Sequence, residues 1–158
     1  MALEIERKFL VKSDAFKKEA MTSTRLVQGF LNTHPERTVR VRIDGDFGYL
    51  TIKGLSNETG TSRFEWEKEI TPKEAEELLL LCEPKVLEKT RYKIPIGDHF
   101  FEVDEFYGEN EGLIVAEIEL QNEKEVFEIP DWLGKEITGE IRYYNSQLSK
   151  QPFNTWKE

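Results

Sequence analysis

Apolar and polar residues alternate with a period of two through most of this chain, in short runs rich in Val, Ile, Tyr and Phe. That period belongs to strands, because successive side chains of an extended backbone point to opposite faces. The runs predict strands near 3–11, 25–32, 38–44, 48–53, 62–70, 87–94, 100–106, 113–120 and 137–142. Asp44-Gly45-Asp46 and Gly97-Asp98 read as tight turns, and 54–61 and 108–112 as longer loops, so neighbouring strands are expected to be antiparallel. A helix is expected at 72–82, where Thr71 and Glu74 form a capping-box pattern, Pro72 stands at the first helical position, and Ala75, Leu78, Leu79 and Cys82 make an apolar stripe. Weaker helical patterns occur at 13–20, 122–128 and 143–150, the last ended by Pro152.

Within the strands the polar face is ionic, and its charges are sorted by sign. Glu4, Glu6 and Lys8 alternate with Ile5, Arg7 and Phe9; Arg40 and Arg42 with Val39, Val41 and Ile43; Glu65 and Glu67 with Phe64 and Trp66. Lys53 opposes Leu50 and Ile52, Lys89 and Arg91 oppose Thr90 and Tyr92, and Glu102 and Asp104 oppose Phe101 and Val103. Glu117 and Glu119 oppose Ala116, Ile118 and Leu120, and Arg142 closes the last predicted strand beside Ile141. Alternation alone is satisfied by a sheet with one buried and one solvated face. A solvated face gains by mixing signs, whereas like-signed pairs repel. Carboxylate pairs are hard oxygen donors suited to Mg²⁺ or Mn²⁺, and arginine pairs offer forks that match phosphate oxygens. If the sheet closes into a barrel with this face inward, the ligand must be a strongly anionic one accompanied by metal, and helices must cover the outward apolar face.

Composition narrows the choice of partner. The 158 residues suit one domain, and no Pro/Gly/Ser-rich linker or internal repeat divides them. A formal net charge of −9 argues against duplex nucleic acid, which requires an excess of surface Lys and Arg. No apolar run approaches the roughly 20 residues of a membrane-spanning helix. The opening MALEIERKFL carries charges where a signal peptide needs an apolar stretch, so a cytoplasmic location is expected. A lone cysteine, Cys82, excludes an internal disulfide and reads as a small core residue. His34 and His99 lie at turns without metal-site partners, and Trp66, Trp132 and Trp156 read as packing residues. Neither a Walker loop nor a zinc spacing nor a Ser/His/Asp arrangement is present.

The opening Glu4-x-Glu6-x-Lys8 resembles the signature of the CYTH family, also called triphosphate tunnel metalloenzymes. The likeness continues in order through Arg40-x-Arg42, Lys53, Ser62-Arg63-x-Glu65-x-Glu67, Glu88-Lys89-Thr90-Arg91-Tyr92, Glu102-x-Asp104, Glu117-x-Glu119 and Arg142-Tyr143, covering nearly the whole chain. It implies a mainly β (α+β) fold: a closed eight-stranded antiparallel β-barrel, a tunnel with peripheral helices, in one CYTH-like domain over 1–158. By the resemblance Lys8, Arg40, Arg42, Lys53, Lys89, Arg91 and Arg142 bind substrate phosphates. Glu4, Glu6, Glu117 and Glu119 lead the metal ligands, with Glu65, Glu67 and Asp104 as further ligands or orienters, and Glu4, Glu6 and Lys8 form the catalytic set. A helix near the C-terminus is implied at one mouth of the tunnel. One departure is evident: where related sequences often carry a Tyr in a Gln-Gly-Tyr-Leu segment, this chain reads Gln28-Gly29-Phe30-Leu31, without the hydroxyl.

The implied activity is metal-dependent hydrolysis of a triphosphate phosphoanhydride, with inorganic tripolyphosphate the expected substrate and Mg²⁺ or Mn²⁺ the cofactor. Class IV adenylyl cyclase and thiamine triphosphatase share the fold, and a non-enzymatic polyphosphate- or nucleotide-binding protein is the alternative of another class. The expected partner is a triphosphate-containing small molecule rather than a membrane or duplex nucleic acid. A homodimer is compatible with the sequence, which does not decide it.

Overall fold

The structure, a computed structural model, describes residues 3–156. In chain order the elements are β1 (Leu3–Val11), α1 (Phe16–Glu19), β2 (Thr22–Asn32), β3 (Arg37–Asp44), β4 (Phe47–Ser56), β5 (Ser62–Ile70), α2 (Pro72–Leu79), β6 (Leu87–Ile96), β7 (His99–Phe106), β8 (Ile114–Glu119), β9 (Leu133–Glu136) and α3 (Asn145–Leu148). The strands are hydrogen-bonded in the order β5-β4-β3-β2-β6-β7-β8-β1-β9, and β5 also pairs with β1. Eight antiparallel strands therefore close on themselves, as expected, and β9 is an addition outside the ring.

Closure depends on how β1 divides its second edge. Leu3–Ile5 pair with β5, while Phe9 and Val11 pair with β9. Between them the Glu6 amide donates to Thr61 O at 3.0 Å, the Lys8 amide donates to Thr138 Oγ1 at 2.9 Å, and Lys8 O accepts from the Ile137 amide at 2.8 Å. The loop before β5 and the segment after β9 thus stitch the seam. They meet at Gly60 and Gly139, both at positive φ (+77° and +80°), where a Cβ on Gly60 would lie 2.3 Å from the Gly139 Cα. Only glycine fits such a contact in that backbone region.

The outward apolar face packs in two ways. Around β1, β7 and β8, Phe9, Phe101, Val103, Ala116 and Ile118 bury against Phe16 of α1 and against Trp132 and Leu133. On the other side α2 lies across β3 and β4, with Ala75 over Gly48 and Leu79 and Cys82 over Gly29. Its capping box is present as predicted: Thr71 Oγ1 accepts from the Glu74 amide and the Glu74 side chain accepts from the Thr71 amide. The outer face of β5 has no such cover, and Leu3, Phe64 and Trp66 are 59 %, 37 % and 42 % exposed.

Several expected elements differ. No strand forms at 137–142: β9 lies earlier, because Gly139 leaves the extended region, the Thr138 hydroxyl takes the Lys8 amide, and Ile141–Tyr143 close into a 3₁₀ turn. The segment 122–128 is not helical, since the Glu125 carboxylate accepts from the Gln121 amide and Asn122 Oδ1 from the Lys124 amide. Such local side-chain bonds compete with a helix. The helices at 13–20 and 143–150 shrink to α1 and α3, one turn each, and that at 72–82 ends at Leu79. Helices consequently cover only part of the barrel.

The inward face also departs from a purely ionic one. Register puts Leu87 opposite Gln28, Phe106 opposite Lys89 and Val115 opposite Asp104, so apolar residues continue the inward rows at one end of the barrel. There Phe30, Leu87, Phe106 and Val115 pack with Ile137, Tyr143 and Leu148 from the C-terminal segment. One end is filled by core, and the remainder stays open.

Candidate active site

The open part is a cavity of about 670 Å³ lined mostly by charged side chains. Lys8, Arg40, Arg42, Lys53, Lys89 and Arg91 line it together with Glu4, Glu6, Glu65, Glu67, Glu117 and Glu119. These residues share one strand parity, and the register explains why they converge. Arg40 faces Thr51 and Arg42 faces Gln28 across β3's two neighbours, Lys53 faces Glu65, Arg91 faces Asp104, Lys8 faces Glu117 and Glu6 faces Glu119.

On the β6/β7 wall the cations are fixed by a buried carboxylate. Asp104, 2 % exposed, accepts from Arg91 Nε at 2.8 Å and Nη2 at 2.9 Å, and pairs with Lys89 Nζ at 2.8 Å. Burial pushes the Asp104 carboxyl up, but Arg91 and Lys89 outweigh it and hold the group well below the usual carboxylate range. Burial draws the Lys89 ammonium down to about 8 despite Asp104, while Asp104 keeps Arg91 above its ordinary value despite burial. Asp104 holds the two cations and is not among the residues that line the cavity.

Arg40 and Arg42 form a second cationic patch. Arg40 Nη2 donates to Thr51 Oγ1 at 3.2 Å and lies 3.5 Å from Glu67, while Arg42 Nη2 is 4.0 Å from Glu67. The Nε groups of both arginines are buried with no hydrogen-bond partner among the described residues. Burial, then Arg42 and Arg91, lower Arg40 to about 10. Buried unpaired donors cost free energy until an acceptor arrives.

The β1/β5/β8 wall is crowded with carboxylates. Lys53 Nζ bridges Glu4 at 3.0 Å and Glu65 at 3.4 Å; its charge outweighs burial and lowers Glu4. Lys8 Nζ lies 3.9 Å from Glu6. Burial raises Glu117, but Lys8 and a hydrogen bond with Glu6 bring it down to about 2. Glu6 is pushed well above the ordinary range, first by burial and then by Glu117 and Glu4. Glu65 and Glu119 are raised as well, each by burial and then by Glu4.

This donor set fits a divalent ion in its chemistry: hard oxygens, more negative charge than the local lysines neutralise, and carboxyl groups close enough to share protons. Among the described residues no three His, Cys, Asp or Glu side chains are gathered into a ready coordination shell. That is compatible with Mg²⁺, which takes one or two carboxylates and completes its shell with water and substrate phosphate oxygens.

Arg142 is the predicted site residue that the fold keeps away. It is exposed on the 3₁₀ turn, outside the cavity, with its guanidinium 4.5 Å from the Trp156 ring centroid and 5.2 Å from that of Tyr143. The expected strand would have aimed it inward, and the turn does not. Trp132 and Trp156 pack as expected, whereas Trp66 stands half open on β5.

Other lining residues escaped the sequence reading. Arg63 shares the parity of Glu65 and Glu67 and pairs across β5/β1 with Glu4, a signal that the alternation itself carried. His99 lines the mouth and pairs with Glu125 across 26 positions, and Tyr144 and Asn145 enter from the C-terminal segment. No short-range pattern announces these three. Phe30 also lines the cavity.

Curated relatives match over their full length. A protein named inorganic triphosphatase from Acetivibrio thermocellus is 51 % identical over 159 residues, covering 100 % of both chains. Another of that name from Nitrosomonas europaea is 37 % identical over 151 residues, covering 92 % of this chain and 96 % of its own. The crystal structure of the inorganic triphosphatase NE1496 superimposes with a TM-score of 0.65 at 34 % identity, covering 92 % of this chain and 97 % of the other. PH1012 from Pyrococcus horikoshii shares the fold at 21 % identity and a TM-score of 0.60, with coverage of 77 % and 81 %. The CYTH domain model matches residues 2–150, and with the closed charged barrel this places the chain in the CYTH domain family.

Proposed function

We propose that this chain is a divalent-metal-dependent triphosphatase that hydrolyses inorganic triphosphate in the barrel. One observation carries the reading: a single cavity gathers the cations Arg40, Arg42, Lys89 and Arg91 and, beside them, a crowd of carboxylates with more negative charge than the local cations balance. The first wants phosphate oxygens and the second wants a divalent cation. Relatives named inorganic triphosphatase support the same choice of substrate.

Glu4, Glu6, Glu117 and Glu119 would hold Mg²⁺ or Mn²⁺, with Glu65 and Glu67 as further ligands. Bound there, the metal would supply charge neutralisation and a lowered pKa for the attacking water. Arg40, Arg42, Lys89 and Arg91 bind the phosphate chain and hold it in line, which is the greater part of what phosphoryl transfer requires. Lys8 and Lys53 lie between the carboxylates and the phosphates and offset charge on the diphosphate that leaves. Water oxygen bonds to the terminal phosphorus, the bridging P–O bond breaks, and carboxylates of the acidic wall accept the water's proton. Charged side chains make up most of the lining, and relatives named inorganic triphosphatase favour an inorganic chain over a nucleoside.

Phosphate release from tripolyphosphate, ATP, thiamine triphosphate and pyrophosphate with Mg²⁺, Mn²⁺ or EDTA tests this. Metal-dependent release from tripolyphosphate, suppressed in Glu4→Gln and Arg40→Ala, is the expected result. Binding of tripolyphosphate without turnover would make the chain a sensor, and cAMP formation from ATP would make it a cyclase.

A further inference from the structure

The C-terminal segment does more than fill one end of the barrel. Its Tyr144 ring lies 4.7 Å from Lys8 Nζ, and the next residue, Asn145, reaches into the buried ion network. Asn145 Oδ1 accepts from Lys89 Nζ at 2.9 Å and from Gln28 Nε2 at 2.8 Å. Lys89 and Gln28 are 1 % and 0 % exposed. Because an ammonium only donates, Lys89 fixes which amide atom of Asn145 it meets, and that oxygen in turn fixes Gln28 as the second donor.

An ammonium has three N–H bonds in tetrahedral directions. Asp104 Oδ2 takes one Lys89 direction at 2.8 Å and Asn145 takes another. Two fixed directions determine the third; Lys89 lines the cavity and its Nζ lies 5.3 Å from the Phe106 ring centroid, so a ligand there and that ring face compete for the remaining N–H. Asn145 is itself held in place: the Leu148 amide donates to Tyr144 O at 2.9 Å, the Ser149 hydroxyl to Ser146 O at 2.8 Å, and Leu148 is fully buried in the apolar end.

We propose that Asn145 is a positioning residue for the phosphate-binding Lys89, aiming its free N–H at the phosphate chain and coupling the seating of the C-terminal segment to the readiness of the site. This rests on the triphosphatase reading above. The role needs an oxygen acceptor at position 145, not merely a well-packed side chain.

The test is steady-state hydrolysis of tripolyphosphate by wild type, Asn145→Leu, Asn145→Asp, Lys89→Gln and the Lys89→Gln/Asn145→Leu double variant, with thermal unfolding as a check of folding. Asn145→Leu should lower kcat/KM about tenfold, and Asn145→Asp, which keeps the acceptor, should retain most of the activity. In the Lys89→Gln background Asn145→Leu should add less than about twofold, since its effect acts through Lys89. Equal losses in both backgrounds, or an Asn145→Asp as impaired as Asn145→Leu, would overturn the role. If Asn145→Leu does not fold, Asn145→Ala is judged by the same criteria. A wild type that releases no phosphate defeats the functional reading instead. Calorimetric titration with tripolyphosphate in EDTA then decides: Asn145→Leu should bind at least about fivefold more weakly, and unchanged affinity overturns the inference.

Discussion

On the β6/β7 wall of the tunnel, one buried carboxylate serves two cations with short, well-directed bonds; on the β1/β8 wall, Glu6, Glu117 and Glu4 face one another with only Lys8 and Lys53 between them. Both walls are buried and ionic, yet Asp104 is held far below its ordinary pKa and Glu6 far above. The first wall is complete in its scaffolding, with a carboxylate of the protein holding both cations in place for a ligand. The second keeps an excess of negative charge that the protein does not satisfy, and such an excess costs stability unless a cation or protons offset it. The contrast separates cations ordered by the protein's own carboxylate from carboxylates that await a cation.

The largest effect should come from breaking the complete wall. Asp104→Ala leaves Lys89 and Arg91 buried without their shared partner, and should cost about 3–5 kcal/mol in chemical denaturation. Stability unchanged by this substitution would mean that the Asp104 network is not what holds the wall.

Glu6→Gln should act oppositely on stability and severely on activity. A carboxyl whose folded pKa is raised destabilises the native state when ionised, at pH above its folded value; that cost fades as pH falls through it. At neutral pH without metal, Glu6→Gln should therefore raise the unfolding temperature by roughly 2–4 °C. Triphosphate hydrolysis should fall by roughly 100-fold or more, equivalent to about 2.7 kcal/mol of barrier. Asp104 has the reverse sign: its contribution is present above the unfolded carboxylate value and is lost as pH falls toward the depressed folded value. A parallel loss of stability in both variants would erase the distinction between the walls.

Proton release sharpens the comparison further. Metal binding beside a carboxyl whose pKa is raised, as burial, Glu117 and Glu4 raise Glu6, should release protons, and fewer as pH rises. Calorimetry in buffers of different ionisation enthalpy measures it, and zero release at every pH would place the metal elsewhere. The smallest effect should be that of Arg142→Ala. Outside the cavity and stacked on Trp156, Arg142 should cost less than about 1 kcal/mol of stability and change kcat/KM less than about twofold. A large loss of substrate binding would restore it to the site.

Most of the site was legible because period-two alternation assigns a face to each residue as soon as a strand is identified. Glu4, Glu6, Lys8, Arg40, Arg42, Lys53, Lys89 and Arg91 were found that way and reach the cavity. The same rule misplaced Arg142, because Gly139 and the Thr138 hydroxyl end the extended backbone before that residue. It was silent on His99, Tyr144 and Asn145, which come from a strand end and a C-terminal turn.

The sequence by itself determined the strand order of polar and apolar faces, the sorting of charge and the capped helix α2, since each depends on spacing within a few residues. Whether Asp104 would line the cavity, which end of the barrel would fill with Ile137, Tyr143 and Leu148, and which cations would meet Asn145 were decided only by the tertiary structure. Those outcomes depend on register across β1, β5 and β9 and on the path of the chain after β9. No local pattern encodes them, because the partners lie tens of residues apart and meet only when the barrel closes.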